Sequence, residues 1–382
     1  MILRILFAAI LAIVLGQPAT AQPNAAQTCD ELAGHPQEPG HEGRGVEWGY
    51  VDAVPAIAAC RAALVQSPDS PEILYRLART LIQVGQYGEA LPMMLRSAEA
   101  GYSPAETVYG TAFMGGGEGV HANYSVALHW LTRAAKSGDP IGQYNLGLMY
   151  DSGRGIPPDF KRAEALYLRA AEQGNVSAMI NLGLLYERGE EGVPQNWDAS
   201  FALFKLAAES GSPVALHDVG RAYSTGHGTH RDDALAFEWW MRAAKAGYEP
   251  SQLQVSRALL NGWGVEPDLE AALQSYRALT SGGNPEAQVD LGRLLVDSAD
   301  PAERAEGVDW LKSAGDAGDL EGYQYLAEHY SMQNLLPLAR HYAEIVAEQG
   351  DDQLQEVADS LLTVLDRLEA NRRNAMGADP SP

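Results

Sequence analysis

Four side chains in the stretch HGTHRDD could hold a metal: His227, His230, Asp232 and Asp233. His-x-x-His beside carboxylates can bind zinc when a further ligand and an ordered loop complete the set. No second ligand cluster is evident, and Asp232 stands where a helix needs an N-cap, so a solvated inter-helix loop is the expected reading. Gly153-Arg154-Gly155 raises a second chemistry. Gly-x-Gly opening a helix can cradle a phosphate on free backbone N–H groups. The same residues can instead form a turn that folds one helix back on another. Nucleophile motifs are absent: there is no G-x-S-x-G and no S-x-x-K. His217, in LHDVG, reads as a surface or groove residue and not as a base, and Glu190-Glu191 and Asp351-Asp352 read as exposed charge. No catalytic, cofactor-binding or metal-binding residue is therefore assigned, and no cofactor is expected.

The elements that position these residues repeat. The glycine closing each AA-x-x-G falls at Gly101, Gly138, Gly174, Gly211, Gly247 and Gly283, at intervals of 37, 36, 37, 36 and 36, and more loosely at Gly318 and Gly350. The glycine loop recurs in step as GGGEGV, GRGI, GEEGV, GHGT and GWGV. A phosphate loop is needed once, whereas a turn in a stacked array is needed in every unit, so these glycines are read as structural turns. A first helix follows each anchor glycine. It carries a small residue four positions on (Ala105, Gly142, Ala178, Ala215, Ala287) and a glycine nine on (Gly110, Gly147, Gly183, Gly220, Gly292). Glycine inside a helix costs about 1 kcal/mol against alanine, so its recurrence predicts close helix contact. After the loop, Asn123, Asp159, Asn196, Asp232 or Asp268 is placed to cap a second helix. That helix carries bulky pairs such as Trp130-Leu131 and Trp239-Trp240, which recur in register and read as core.

This pattern closely resembles the Sel1-like repeat, a relative of the tetratricopeptide repeat with a longer loop between its two helices. The resemblance implies an all-α fold, an α/α solenoid superhelix of antiparallel helix pairs. Sel1-like repeats are expected over 102–283, with degenerate repeats over 284–350, where VDSADPAERA and SMQNLLPLAR have lost the glycine loop. Residues 67–101 resemble an ordinary tetratricopeptide unit, and 22–66 an N-terminal segment of the kind that precedes such repeats in exported bacterial proteins. Residues 351–372 predict one capping helix, apolar on one side only. Residues 373–382 are expected to form a disordered tail.

Composition bounds the partners. A net charge of −23 repels nucleic acid and anionic membrane surfaces. The first residues pair a basic Arg4 with an apolar run from Ile5 to Leu15 and a small-x-small site at Ala19-Thr20-Ala21, which predicts a signal peptide over 1–21 cleaved after Ala21. The run is shorter than the ~20 residues of a membrane span. The mature chain is therefore expected in the periplasm or secreted, with no membrane insertion after cleavage. In an oxidising compartment the isolated pair Cys29 and Cys60 reads as one disulfide, the alternative being two unpaired thiols. The repeats contain no cysteine, unlike the cysteine-rich Sel1-like proteins linked to β-lactam binding.

The resemblance implies an interaction scaffold. Exported Sel1-like proteins act as adaptors, including periplasmic ones that restrain the sensor domain of a membrane histidine kinase. The alternative is an accessory protein that binds or processes cell wall. In tetratricopeptide arrays the first helices line the concave face. If that holds here, positions six and ten after each anchor glycine form a partner groove for a protein or extended peptide. The groove is expected to be apolar around Tyr144, Leu148, Ile180 and Leu184. It then continues past His217 as a basic ladder of Arg221, Arg257 and Arg293, with Arg79 equivalent in the tetratricopeptide-like unit. Such arginines suit carboxylates. Local pairing is the competing reading, with Asp297 or Glu328 as partners of Arg293.

Overall fold

The computed structural model describes residues 24–377, apart from 36–37, 39–45, 48 and 118. The expected leader and its cleavage site lie outside the described residues, as do residues 378–382 of the expected tail. The described residues form 19 helices and no strand; two isolated bridges, Gly117 with Val120 and Glu190 with Val193, close loops. The chain divides into two compact units, one ending at Gln195 and the other beginning at Asn196.

In the first unit, α1 (Ala25–Ala33) and α2 (Ala53–Gln66) are joined by the Cys29–Cys60 disulfide. Then come three antiparallel pairs, α3 (Pro71–Gln83) with α4 (Tyr87–Glu99), α5 (Ser103–Gly115) with α6 (Tyr124–Lys136) and α7 (Pro140–Ser152) with α8 (Phe160–Glu172), followed by α9 (Val176–Arg188). The second unit opens with α10 (Trp197–Glu209). It continues with α11 (Pro213–Thr225) on α12 (Asp233–Lys245), α13 (Glu249–Asn261) on α14 (Leu269–Ser281) and α15 (Pro285–Leu295) on α16 (Pro301–Asp316). It closes with α17 (Glu321–Met332), α18 (Leu336–Gln349) and α19 (Asp352–Gly377). The last helix runs past the expected end at 372.

Local chemistry sets the helix starts. Asn123, Asp159, Asn196, Asp232 and Asp268 each accept a hydrogen bond from a first-turn backbone N–H at 2.9–3.2 Å, as the sequence predicts. The closing turns use a left-handed anchor glycine: Gly174, for example, has φ +85° with open space where a Cβ would stand. Gly350 departs from the series, with φ −69°. Between α17 and α18, where the glycine loop is lost, Asn334 takes the left-handed turn at φ +60°, a conformation asparagine tolerates. The glycines inside the first helices act through space. A Cβ on Gly147 would lie 2.7 Å from the Tyr167 ring, and one on Gly220 would lie 2.6 Å from Trp240. Tyr167, Phe204 and Tyr276 are among the largest fully buried side chains.

Candidate functional site

The Gly-x-Gly loop is occupied by packing. Gly155 has φ +74°, and a Cβ there would lie 2.1 Å from the Tyr124 Cβ of the preceding repeat. The loop is thus pressed onto the start of α6 and turned by its glycines. In HGTHRDD the side chains are divided among separate tasks. The His227 ring stacks on Trp197 at 4.0 Å between centroids. Asp232 caps α12 through the Leu235 N–H at 2.9 Å, and Asp233 accepts two hydrogen bonds from Arg231 at 3.0 Å. His230 Nε2 lies 3.9 Å from Asp232.

The expected groove residues sit on first helices, as their register requires. In the first unit, Tyr144 and Leu148 lie on α7, and Ile180 and Leu184 on α9, all half-buried. The Tyr144 hydroxyl accepts from Asn181 Nδ2 at 3.0 Å, which ties α7 to α9. Burial pushes the Tyr144 phenol up. This unit also contains a cavity of about 530 Å³, which the sequence analysis did not assign. Its walls include Tyr75, Tyr87, Val108, Thr111, Ile141 and Asn145. Asp139 also lines it, with a carboxyl pushed up by burial against the pull of the Gly142 N–H. Thr107 and Thr111 occupy groove positions six and ten, so register was the signal for it.

Arg79 is not a groove residue. It is fully buried, donating to the Ala33 carbonyl at 2.8 Å and to the Val46 carbonyl. Beside it Arg76 binds Glu38 at 2.9 Å and Asp30 at 2.8 Å. Two arginines of the tetratricopeptide-like unit, Arg76 and Arg79, therefore hold the disulfide-linked N-terminal segment.

In the second unit, His217 and Arg221 lie on α11, Arg257 on α13 and Arg293 on α15. His217 Nδ1 is 2.8 Å from Ser251 Oγ, bridging α11 to α13. Burial, with the Arg221 charge adding to it, lowers the His217 pKa to about 4. Arg221 donates to Asp218 at 3.1 Å, and its guanidinium lies 5.9 Å from the Phe204 ring. Arg257 donates from Nε to Asp290 at 2.7 Å, bridging α13 to α15, and reaches Glu286 at 3.3 Å. Arg293 is exposed and lies 4.4 Å over the Tyr325 ring of α17. The expected partners of Arg293 are engaged elsewhere: Asp297 lies 3.4 Å from His329 Nδ1, and Glu328 accepts from Gln324. Among the described residues Arg293 makes no ion pair. Around His217 and Arg221 is a cavity of about 280 Å³, lined also by Arg231, Gln254, Trp240 and Trp263.

A position not singled out in the sequence is the seventh after the anchor glycine, occupied among others by Asn145, Asn181, Asp218, Asp290 and Tyr325. Across repeats, position-seven residues engage position ten of the preceding unit at Asn145–Thr111, Asp290–Arg257 and Tyr325–Arg293. At these three places the first helices of neighbouring repeats are stitched together, so part of the expected binding face is also structural.

A family model of the Sel1 repeat matches residues 103–139, 140–175, 176–212, 213–248, 250–277 and 285–319, over half of the chain. A tetratricopeptide repeat model matches residues 52–104. No curated protein matches the sequence significantly. Among solved structures, a protective antigen present in uropathogenic Escherichia coli strains, with an SLR fold, is 29% identical with a TM-score of 0.66. The match covers 82% of this chain and 68% of that one. A Sel1 repeat protein from Oxalobacter formigenes is 26% identical with a TM-score of 0.57, covering 63% of this chain and 96% of that one. The all-α architecture is that of a repeat solenoid.

Proposed function

We propose that this chain, which belongs to the Sel1 repeat family, is an exported, non-enzymatic protein-interaction scaffold or adaptor of the bacterial envelope. Sel1 and tetratricopeptide repeats are protein-binding modules, and a stacked array offers a long surface of variable positions without needing a reaction centre. The disulfide suits an oxidising compartment. The E. coli neighbour is a protective antigen, and antibody meets exported proteins more readily than interior ones. No helix among the described residues is long and apolar enough to cross a membrane.

The observation that carries the reading is Arg293. Its exposed guanidinium rests on Tyr325 and, among the described residues, makes no ion pair, on a protein of net charge −23. A guanidinium held over an aromatic ring by its charge still has N–H donors for a ligand, and a carboxylate fits them. The ligand is an extended protein segment that presents acidic residues to Arg221 and Arg293 in the second unit. In the first unit Tyr144, Leu148, Ile180 and Leu184 are the apolar positions of the same register. An envelope protein such as the sensor domain of a membrane kinase is the kind of partner this describes.

The test is co-purification of the protein from its own envelope, with identification of what accompanies it. The expected result is a partner retained by the unaltered chain and lost from R293E, with helical content and melting temperature unchanged. Retention of a muropeptide instead of a protein, or turnover of one, would replace this reading with the cell-wall one.

A further inference from the structure

We propose that the cavity of about 530 Å³ in the first unit receives a basic side chain, arginine or lysine, of an extended protein segment, with an apolar neighbour of that side chain against the cavity wall. This rests on the reading above that such a segment is the ligand, and it adds the residue type that the first unit selects. The volume lies within the roughly 300–1,000 Å³ of small-ligand sites, so the cavity takes whole side chains. Thr107 and Thr111 in its wall are positions six and ten after Gly101, and Tyr144 and Leu148 hold the same positions on the next first helix. The cavity therefore continues the register of the expected groove, which favours a segment over a free small molecule. Ile82, Leu91, Val108 and Ile141 offer it apolar surface, which suits the methylene stem of a long basic side chain as well as an apolar neighbour.

Charge selects the occupant. The wall carries the carboxylates of Glu38, Glu47 and Asp139 and no lysine or arginine. Glu38 is satisfied internally, accepting from Arg76 Nε and from the Tyr102 hydroxyl at 2.9 Å. Glu47 is exposed. Asp139 caps α7 by accepting the Gly142 N–H at 2.7 Å, and among the described residues it makes no ion pair. Three of its counterparts, Asn175, Ser212 and Asn284, cap their helices without a charge. Capping therefore does not call for the charge, and a carboxylate half-buried without a cation is costly. A cation in the cavity supplies the missing partner. Thr107 points the same way: it is 4% exposed, and its hydroxyl is near enough to Asp139 to favour the carboxylate but completes no hydrogen bond. His35 brings no competing charge, since burial first and the Arg79 charge second lower its pKa. Half-buried Tyr87 adds an aromatic ring to the wall, and such rings attract cations. An acidic side chain would instead meet Glu47 and Asp139 as like charges.

Calorimetric titration of the purified full chain with acetyl-Phe-Arg-amide tests this. Saturable binding is expected, at least about tenfold tighter than for acetyl-Phe-Glu-amide or for acetyl-Phe-citrulline-amide, the neutral isostere. Added salt should weaken it. D139N should weaken it about fivefold or more without lowering the melting temperature, because asparagine caps a helix as well as aspartate does. E47Q, at an exposed position, should weaken it too, so a loss of stability in D139N would leave the test intact. No saturation by about 5 millimolar peptide, equal affinity for the three peptides, or unchanged binding by both variants would overturn the proposal. So would phenethylamine binding as tightly as the arginine peptide, since a free small amine would then be the ligand. None of these outcomes touches the Arg293 reading, which stands or falls on the envelope partner lost from R293E.

Discussion

Arg257 on α13 donates from Nε to the Asp290 carboxylate on α15 at 2.7 Å, with the two side chains 28% and 16% exposed. The pair joins position ten of one repeat to position seven of the next, and the same link recurs as a cation over a ring between Arg293 and Tyr325. The two arginines therefore have different tasks. Arg257→Ala should destabilise the chain by about 1–2 kcal/mol, because it leaves a largely buried carboxylate without its partner. Arg293→Ala should cost less than about 0.5 kcal/mol, as exposed substitutions do, yet weaken partner binding. Urea unfolding of both variants separates the cases, and equal destabilisation would remove the distinction.

The loop glycines differ from the anchor glycines in what they resist. Gly155→Val must place a branched side chain at φ +74° and within 2.1 Å of the Tyr124 Cβ. A loss of about 3 kcal/mol or more is expected, with no ATP binding to lose. Gly174→Ala meets open space at φ +85°, so only the left-handed conformation counts, at about 1–2 kcal/mol. Thermal melts of the two variants should rank in that order.

The disulfide closes a loop of sequence separation 31 at the N-terminal segment that Arg79 holds from the other side. Cys29→Ser with Cys60→Ser should cost about 3 kcal/mol by the chain-entropy argument, and expose 24–66 to protease before the repeats are cut. Unreduced protein should weigh two hydrogens less than reduced protein. Free thiols in the native preparation would contradict the pairing.

His217 gives a pH dependence with a definite sign. Its pKa of about 4 in the folded chain lies below the ordinary 6.5, through burial first and the Arg221 charge second. The unfolded chain therefore takes up a proton on this side chain at higher pH than the folded one. The stability at stake is complete above pH 6.5 and is lost as pH falls from there toward 4. His217→Gln removes the titration, so the melting-temperature difference between wild type and variant should narrow or reverse across that window. A difference independent of pH would show that the imidazole is not held neutral.

Much of this protein is written in short-range chemistry. The anchor glycines, the N-caps from Asn123 to Asp268, and the close packing at Gly147 and Gly220 all follow from residue type and the repeat period. Each depends on contacts within a few residues or on a register copied from unit to unit. The tertiary structure decided what such signals cannot carry. Arg79 was expected in the groove because its register matched, but backbone carbonyls of Ala33 and Val46 claim it, and a carbonyl leaves no mark in the sequence. Arg293 was given Asp297, on the spacing within a helix, or Glu328, at the same site of the next unit. Its contact is Tyr325, one repeat away, because stacked first helices bring position seven against position ten only once the units pack. The exposure of Val357, Val364 and Leu368 on α19 emerges for the same reason: a hydrophobic pattern shows which residues avoid water, and packing decides which of them a neighbour has covered.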